Sequence, residues 1–227
     1  MDDGHFVGAR GEMVAEIAQH VRLTADRIGR ESLDSRVMEA IGRVPRHEFV
    51  PVELRGFAYV NAPLPIGCGK TISQPYINAL MTDLLDVGPE HTVLEVGTGL
   101  GYQAALLAEL AARVCSVEII AEFASAARAR LQALGYGNIE LRHGDGSRGW
   151  AEHGPFDRIL VAAAPDLVPP LLLSQLKPGG RMVVPAGIED AQELMVVDKS
   201  AEGRVSMRPV LGVRFSPLHV DEDPADL

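Results

Sequence analysis

An acidic residue and three glycines stand close together in VLEVGTGLGY, residues 93–102. Glu95 precedes Gly97, Gly99 and Gly101, which occupy alternate positions. Glycine supplies tight turns and lets a ligand approach the bare main chain. The apolar residues before the glycines predict a buried parallel strand, and the strong helix formers after them predict a helix. This order indicates a ligand site, although a tight turn without a ligand would use the same residues.

The glycine spacing separates two classes of cofactor. Dinucleotide-binding turns follow the pattern G-x-G-x-x-G, in which the third glycine stands one place later than Gly101 does here. A pyrophosphate also needs the helix dipole, whereas S-adenosylmethionine (SAM) has no phosphate. SAM carries an ammonium group instead, which favours an acidic neighbour such as Glu95. The pattern therefore favours SAM over a dinucleotide.

Two further carboxylates follow predicted strands. Glu118 comes after the apolar run 114–117 and lies 21 positions after Gly97, where a carboxylate binds a ribose diol in related folds. Asp145 stands between two glycines after the predicted strand 139–142. It can accept a hydrogen bond from an adenine amino group or simply form an Asp-Gly turn. Because parallel sheets bind ligands at the carboxyl ends of their strands, these carboxylates and the glycine turn predict one site.

Helices and strands that position these residues alternate from residue 77 onward. This order predicts an α/β fold with a doubly wound, mostly parallel sheet of the Rossmann-like kind and right-handed crossovers. The strands predicted at 194–198 and 205–215 are expected to be antiparallel edge strands. The first 60 residues lack a strand–helix–strand pattern and predict a helical extension over the sheet.

The chain is expected to form one structural domain overall. Its parts are an N-terminal helical extension (1–60), a ligand-binding domain (61–218) and an acidic tail (219–227). Prolines predict an extended segment at 44–51, and prolines with glycines predict a long functional loop at 61–76. A helix is predicted at 168–176, followed by a turn at 177–180.

Composition excludes several classes of protein. The net charge of −10 argues against nucleic acid as the main partner, because such binding depends on basic patches. The two cysteines, Cys68 and Cys115, form neither a disulfide framework nor a metal motif. No basic-then-apolar leader and no apolar run of membrane-spanning length is present. These features predict a cytoplasmic protein without a membrane partner, and we expect a monomer.

Seven motifs give the sequence a resemblance to a known family: VPRHEFVP (44–51), PIGCGKTISQPY (65–76), VLEVGTGLGYQAALLA (93–108), HGDGSRGW (143–150), GPFDRILVAAAP (154–165), QLKPGGRMVVPAG (175–187) and VRFSPL (213–218). The sequence resembles the protein-L-isoaspartate O-methyltransferases, a family of class I SAM-dependent methyltransferases. The stretch 71–75 is more specific than the glycine turn, which many methyltransferases share. The departures from the family pattern are Lys70 for glutamine, Leu100 for serine, Ala162 for threonine and Ser216 for valine.

The resemblance implies a repair reaction. Such an enzyme methylates the free α-carboxylate of L-isoaspartyl residues in damaged proteins and peptides, and converts SAM to S-adenosylhomocysteine (SAH). The ester closes to a succinimide, which partly reopens as normal aspartate. A carboxyl methyltransferase acting on one dedicated peptide stays open as an alternative.

The resemblance also assigns residues. Ser73 matches the active-site serine. The implied cofactor contacts are Gly69, Thr71, Ile72, Ser73, Asn78, Glu95, Gly97, Thr98, Gly99, Leu100, Gly101, Glu118, Ile119, Asp145 and Gly146. The implied substrate contacts are Ser73, Gln74, Pro75, Ala162 and Ala163.

A carboxylate acceptor makes modest demands on the site. Its pKa of about 4 leaves it ionised at neutral pH, so no strong general base is required. Ser73 would hold it by a hydrogen bond rather than attack anything. Because the acceptor is an anion and the chain is acidic, an arginine or a cluster of backbone N–H groups is expected at the entrance.

Three other enzyme classes fit less well. An NAD-dependent oxidoreductase would favour a Tyr-x-x-x-Lys pair, but no tyrosine of this chain has a lysine four residues later. Ala-Ala-Ala-Pro (162–165) stands where methyltransferases of exocyclic amines carry an Asn- or Asp-Pro-Pro-aromatic motif. His47, Glu48 and His143 offer no convincing ligand set, so no metal is predicted.

Overall fold

The computed structural model describes residues 6–188 and 190–220. The predictions for 1–5 and for the acidic residues 221–227 lie outside the described residues. The α-helices are α1 (Val7–Leu23), α2 (Ala25–Ile28), α3 (Ser35–Arg43), α4 (Pro75–Leu85), α5 (Tyr102–Ala108), α6 (Ala121–Ala133) and α7 (Pro170–Gln175). The strands are β1 (Leu64–Gly67), β2 (Lys70–Ile72), β3 (Thr92–Val96), β4 (Arg113–Glu118), β5 (Ile139–His143), β6 (Phe156–Val161), β7 (Leu176–Ala186), β8 (Gln192–Lys199) and β9 (Val205–Val213).

Seven strands form the main sheet, in the order β5-β4-β3-β6-β7-β8-β9. The pairs from β5 to β7 are parallel, whereas β8 and β9 join by antiparallel pairing. The predicted doubly wound sheet with antiparallel edge strands is therefore confirmed. The chain moves outward from β3 to β5 and then returns to the other side of β3 with β6, so the strand order reverses beside β3.

Successive residues of the central strands pack into cores on opposite faces of the sheet. Val93 belongs to the core under the N-terminal helices, whereas Leu94 and Val96 belong to the core on the other face. Both faces of the strand are thus covered, which explains why its apolar residues are continuous rather than alternating.

The N-terminal helices pack on α4 and on the first of these cores. Met13, Ile17 and Val21 form the buried face of α1. Asp34 caps α3 as predicted, and its carboxylate accepts the backbone N–H of Arg36 at 2.8 Å. The described helices of this region thus lie over one face of the sheet.

Three local predictions were wrong, and the start of a fourth predicted element was misplaced. The segment 44–51 is not extended, because Pro45 starts a 3₁₀ turn, Arg46–Phe49, in which the Glu48 N–H donates to the Pro45 carbonyl at 2.9 Å. The predicted loop 61–76 contains the hairpin β1–β2, whose strands are too short to show an alternating pattern. The predicted turn at 177–180 lies within β7, where the register with β6 shifts. The helix predicted at 168–176 begins only at Pro170, since Pro169 precedes it.

No helix among the described residues is both long enough and apolar enough to cross a membrane.

Candidate active site

The glycine turn lies where the strand order reverses, between β3 and its neighbour β6. Gly97 has a φ of 91°, which favours glycine. A Cβ at this position would lie 3.6 Å from the Cβ of Ala162, the residue that follows β6. The turn and the end of β6 therefore border one crevice, at the position where open α/β sheets bind ligands.

An open cavity with about 610 Å³ of empty space occupies this crevice. We call it the turn cavity. Its described lining residues come from the hairpin, the ends of the central strands and the C-terminal segment: Ile66, Lys70, Thr71, Val96, Gly97, Gly99, Val117, Glu118, Ile119, Ile120, Phe123, Gly146, Ala162, Ala163, Ser216, Pro217, Leu218 and His219.

Glu118 is fixed at the wall of the turn cavity. It ends β4 and is only 5% exposed. One carboxylate oxygen accepts the Gly99 N–H at 2.7 Å, and the other accepts the Ile120 N–H at 2.9 Å. A carboxylate has about four lone-pair sites, so each oxygen can accept a further donor from a ligand. Its position beside the glycine turn suits a ribose diol.

Glu95 lies behind the glycine turn rather than in the turn cavity. It is 0% exposed and pairs in register with Ser116 on β4. The Ser116 hydroxyl donates to the Glu95 carboxyl, and the Thr98 hydroxyl lies 2.5 Å from that of Ser116. Desolvation by burial raises the pKa of Glu95 to about 8. This carboxyl is thus neutral at pH 7 and linked to the turn through two hydroxyl groups.

A second cavity adjoins the first and has about 500 Å³ of empty space. We call it the serine cavity. Its described lining residues are Pro63, Thr71, Ser73, Gln74, Ile77, Ala162, Arg214, Phe215 and Ser216. Thr71, Ala162 and Ser216 line both cavities, so the two cavities are neighbours.

The loop that carries Ser73 is held on one side by Asn61. The Gln74 side-chain amide donates to the Asn61 carbonyl at 2.9 Å, and the Tyr76 N–H donates to the Asn61 side chain at 3.0 Å. Pro75 then starts α4 at its first position, where a missing N–H costs nothing. Ser73 is thereby placed at the wall of the serine cavity.

Arg214 is the one charged side chain among the described residues that line the serine cavity. Its guanidinium lies 3.6 Å from the Asp190 carboxylate, and both side chains are 84% exposed. Such a surface pair is weak, so it holds Arg214 only loosely. An arginine thus lies at the wall of the serine cavity.

The C-terminal segment closes the other side of the turn cavity. The ammonium group of Lys70, the first residue of β2, lies 2.8 Å from Nε2 of His219. Sequence reasoning gave no role to Arg214, Phe215 or His219. The motif VRFSPL carried the family resemblance, but nothing in its residue types indicated a place in the site.

The structure brings only some of the expected residues to the cavity walls. The turn cavity has Thr71, Gly97, Gly99, Glu118, Ile119, Gly146, Ala162 and Ala163, and the serine cavity has Thr71, Ser73, Gln74 and Ala162. The other expected residues line neither cavity: Gly69, Ile72, Pro75, Asn78, Glu95, Thr98, Leu100, Gly101 and Asp145. Of these, the Asp145 carboxylate accepts the Ser147 N–H at 2.8 Å and starts the short turn after β5.

The sheet order, the glycine turn at its reversal and the carboxylate held against that turn define a class I SAM-dependent methyltransferase. The model of the family described as protein-L-isoaspartate(D-aspartate) O-methyltransferase matches residues 19–223. The chain belongs to the protein-L-isoaspartate O-methyltransferase family.

Relatives in this family match along nearly the whole chain. The chain is 57% identical to protein-L-isoaspartate O-methyltransferase 2 of Syntrophobacter fumaroxidans, over 95% of this chain and 88% of the relative. It is 54% identical to protein-L-isoaspartate O-methyltransferase 1 of a Polaromonas species, over 99% of this chain and 94% of the relative.

Solved structures share the fold. One protein-L-isoaspartate O-methyltransferase superposes with a TM-score of 0.79 at 26% identity, covering 92% of this chain, which spans only 65% of that chain. A Plasmodium falciparum protein in complex with SAH superposes with a TM-score of 0.71 at 21% identity, covering 88% of this chain and 97% of that chain.

Proposed function

We propose that this chain methylates the α-carboxylate of L-isoaspartyl residues in damaged proteins and peptides, with SAM as donor and SAH as product. The ester then closes to a succinimide, which begins the repair. One observation carries the proposal: the turn cavity and the serine cavity share the wall formed by Thr71, Ala162 and Ser216. A methyl donor in the first cavity would therefore lie beside an acceptor in the second.

The turn cavity suits SAM. Gly97 and Gly99 offer bare main chain, and Glu118 would accept the ribose hydroxyls. Asp145 and Gly146, after β5, would hold the adenine. The neutral Glu95 would act through Thr98 and shape the turn, and the remaining expected cofactor residues would act from outside the described walls of the cavity.

The acceptor side needs groups that bind an anion and does not need a general base. A carboxylate is ionised at neutral pH. Bound SAM supplies an electrophilic methyl group: the carboxylate oxygen forms the new C–O bond while the C–S bond breaks and its electron pair stays on sulfur. The Ser73 hydroxyl would donate to the acceptor carboxylate, and Arg214 would attract it. Such a transfer is accelerated mainly by positioning and by exclusion of water.

A protein or peptide is the partner that this site fits. The net charge of −10 opposes binding of a polyanion such as nucleic acid. We infer that the enzyme acts as a monomer in the cytoplasm.

The proposed function is tested by methyl transfer from labelled SAM to two synthetic peptides that differ only in isoaspartate or aspartate. We expect label in the isoaspartyl peptide alone, released as methanol in mild base. Transfer to neither peptide, with SAH still bound, would instead point to a dedicated substrate.

Replacing Ser73 with alanine is expected to lower kcat by about 10–100-fold, because a hydrogen bond to a charged group contributes about 1.5–3 kcal/mol. The affinity for SAH should change by less than about threefold, since Ser73 lies in the serine cavity. Steady-state kinetics with an isoaspartyl peptide and calorimetry with SAH measure the two effects. The control is Ser125→Ala on the exposed side of α6. Equal losses of turnover and of SAH affinity would rule out this role.

Replacing Arg214 with methionine is expected to raise KM for an isoaspartyl peptide by up to about fivefold, because a solvent-exposed cation attracts an anion by about 1 kcal/mol at most. Arg214→Lys should retain part of this effect, and added salt should shrink the difference. Peptide titrations at two salt concentrations measure it. The control is Arg208→Met, which removes an equally charged, exposed side chain from β9. A similar rise in KM in this control would show that the effect of Arg214 comes from the net charge of the protein and not from its position.

A further inference from the structure

Arg46 is a fully buried arginine that the proposed mechanism does not use. It lies in the 3₁₀ turn Arg46–Phe49 and is 0% exposed. Within 6–188 and 190–220 no carboxylate forms an ion pair with it. A buried charge is costly unless hydrogen bonds compensate it. The partners of this side chain therefore indicate why an arginine stands there.

The guanidinium uses each of its nitrogen atoms. Nε donates to the Ala58 carbonyl at 2.8 Å, Nη2 to the Ser73 carbonyl at 2.6 Å, and Nη1 to the Asn78 side chain at 3.1 Å. The central carbon lies 4.7 Å from the centre of the Tyr102 ring, within reach of a cation–π interaction. Only a planar fork with fixed donors can satisfy these partners together.

These contacts join the two sides of the active site. Ser73 lines the serine cavity, whereas Tyr102 is the first residue of α5, directly after the glycine turn. A second link runs from the Asn78 side chain, which donates to the Gln103 side chain on α5 at 2.8 Å. Asn61 holds the other flank of the serine loop, residues 73–74. Arg46 therefore ties this loop to Tyr102, the residue that follows the glycine turn.

We propose that Arg46 is a positioning residue that sets the distance between Ser73 and the glycine turn, and thus between the acceptor carboxylate and the methyl group. The proposal rests on the proposed function. Methyl transfer requires the attacking oxygen, the methyl carbon and the sulfur to lie in line. A misplacement of about 1 Å in such a geometry costs roughly 10²-fold in rate.

The test compares Arg46→Lys and Arg46→Met with the wild-type enzyme. Lysine keeps the charge but presents one ammonium in place of the fork, and methionine removes the buried charge. The two variants therefore perturb the buried acceptors to different degrees, and the comparison is made on each one that folds. We expect kcat to fall by about 10–100-fold at saturating SAM and peptide, while SAH affinity and the KM for peptide change by less than about threefold.

Arg30→Met is the matched control. Arg30 pairs with the Asp83 carboxylate on α4, so it also fixes the N-terminal helices to that helix, but it contacts no residue of the serine loop among its described hydrogen bonds. Its kcat should stay within about twofold of wild type. A matching loss of kcat in Arg30→Met, or a kcat within threefold of wild type in a folded Arg46 variant, overturns the proposal.

Hydrogen–deuterium exchange of the amides of 71–74 gives a readout that does not depend on the reaction. We expect exchange to be at least about tenfold faster in the Arg46 variants and unchanged in Arg30→Met. Unchanged exchange in the Arg46 variants contradicts the positioning role. If the wild-type enzyme fails to methylate an isoaspartyl peptide, the proposed function fails, whereas the exchange rates still decide whether Arg46 holds the loop.

Discussion

Replacing Glu118 with alanine is expected to weaken SAH binding by about 10²–10⁴-fold while the chain stays folded. Each ribose hydroxyl that donates to this carboxylate would contribute about 1.5–3 kcal/mol, and two are expected. The Gly99 and Ile120 N–H groups that Glu118 now accepts border the open turn cavity, so water can replace the lost oxygens. Glu118→Gln keeps the shape but not the charge, so its loss should be smaller. Calorimetric titration with SAH measures all three proteins.

Glu122→Ala provides the control for general charge. Glu122 lies four residues after Glu118, in the first turn of α6, and is exposed. The SAH affinity of the Glu122→Ala protein should stay within about twofold of wild type. A Glu118→Ala protein that binds SAH within threefold of wild type would show that the ribose is held elsewhere.

Glu95→Gln is expected to remove a pH-dependent loss of stability of roughly 3 kcal/mol between pH 5 and pH 8. The pKa of Glu95 rises from 4.5 to about 8, mainly because burial in the sheet disfavours its charged form. The Ser116 hydrogen bond opposes this rise, and the nearby Glu118 charge adds to it. A carboxyl with a raised folded-state pKa favours the folded state fully below its unfolded pKa. That contribution is lost as the pH rises towards the folded pKa. Glutamine stays neutral throughout and loses nothing.

Urea unfolding at pH 5 and pH 8 measures the free energy of unfolding of both proteins. The wild-type protein should lose stability relative to Glu95→Gln as the pH rises. Glu53→Gln, at an exposed position, should follow the wild-type pH dependence. Parallel pH profiles for wild type and Glu95→Gln would show that Glu95 ionises in the folded protein as it does in the unfolded chain.

Local patterns predicted the centre of the fold and of the candidate site well. The glycine turn and Glu118 were predictable because each follows an apolar strand, and parallel strands bring their carboxyl ends to one edge of the sheet. Glu95 shows the limit of this reasoning. The pattern predicted an acidic group near a ligand, but strand alternation places the Glu95 side chain on the buried face of the sheet that it shares with Ser116.

Long-range contacts could not be predicted from the sequence. Lys70 and His219 are 149 positions apart and meet only because β8 and β9 return the chain to the cavity. Arg46 reaches Ser73 and Asn78 through a 3₁₀ turn in a segment that two prolines predicted to be extended. The hairpin β1–β2 was not predicted because its strands have four and three residues, too few to show a period of two.

Repair of a single peptide tests the central claim most directly. An isoaspartyl peptide is incubated with the enzyme and excess SAM, and its forms are separated by chromatography over several cycles of methylation. The proposed function predicts that the isoaspartyl peptide declines while the succinimide and then the aspartyl peptide accumulate, with Ser73→Ala much slower. An isoaspartyl peptide that persists unchanged beside an enzyme that binds SAH, or equal methylation of the aspartyl peptide, would contradict it.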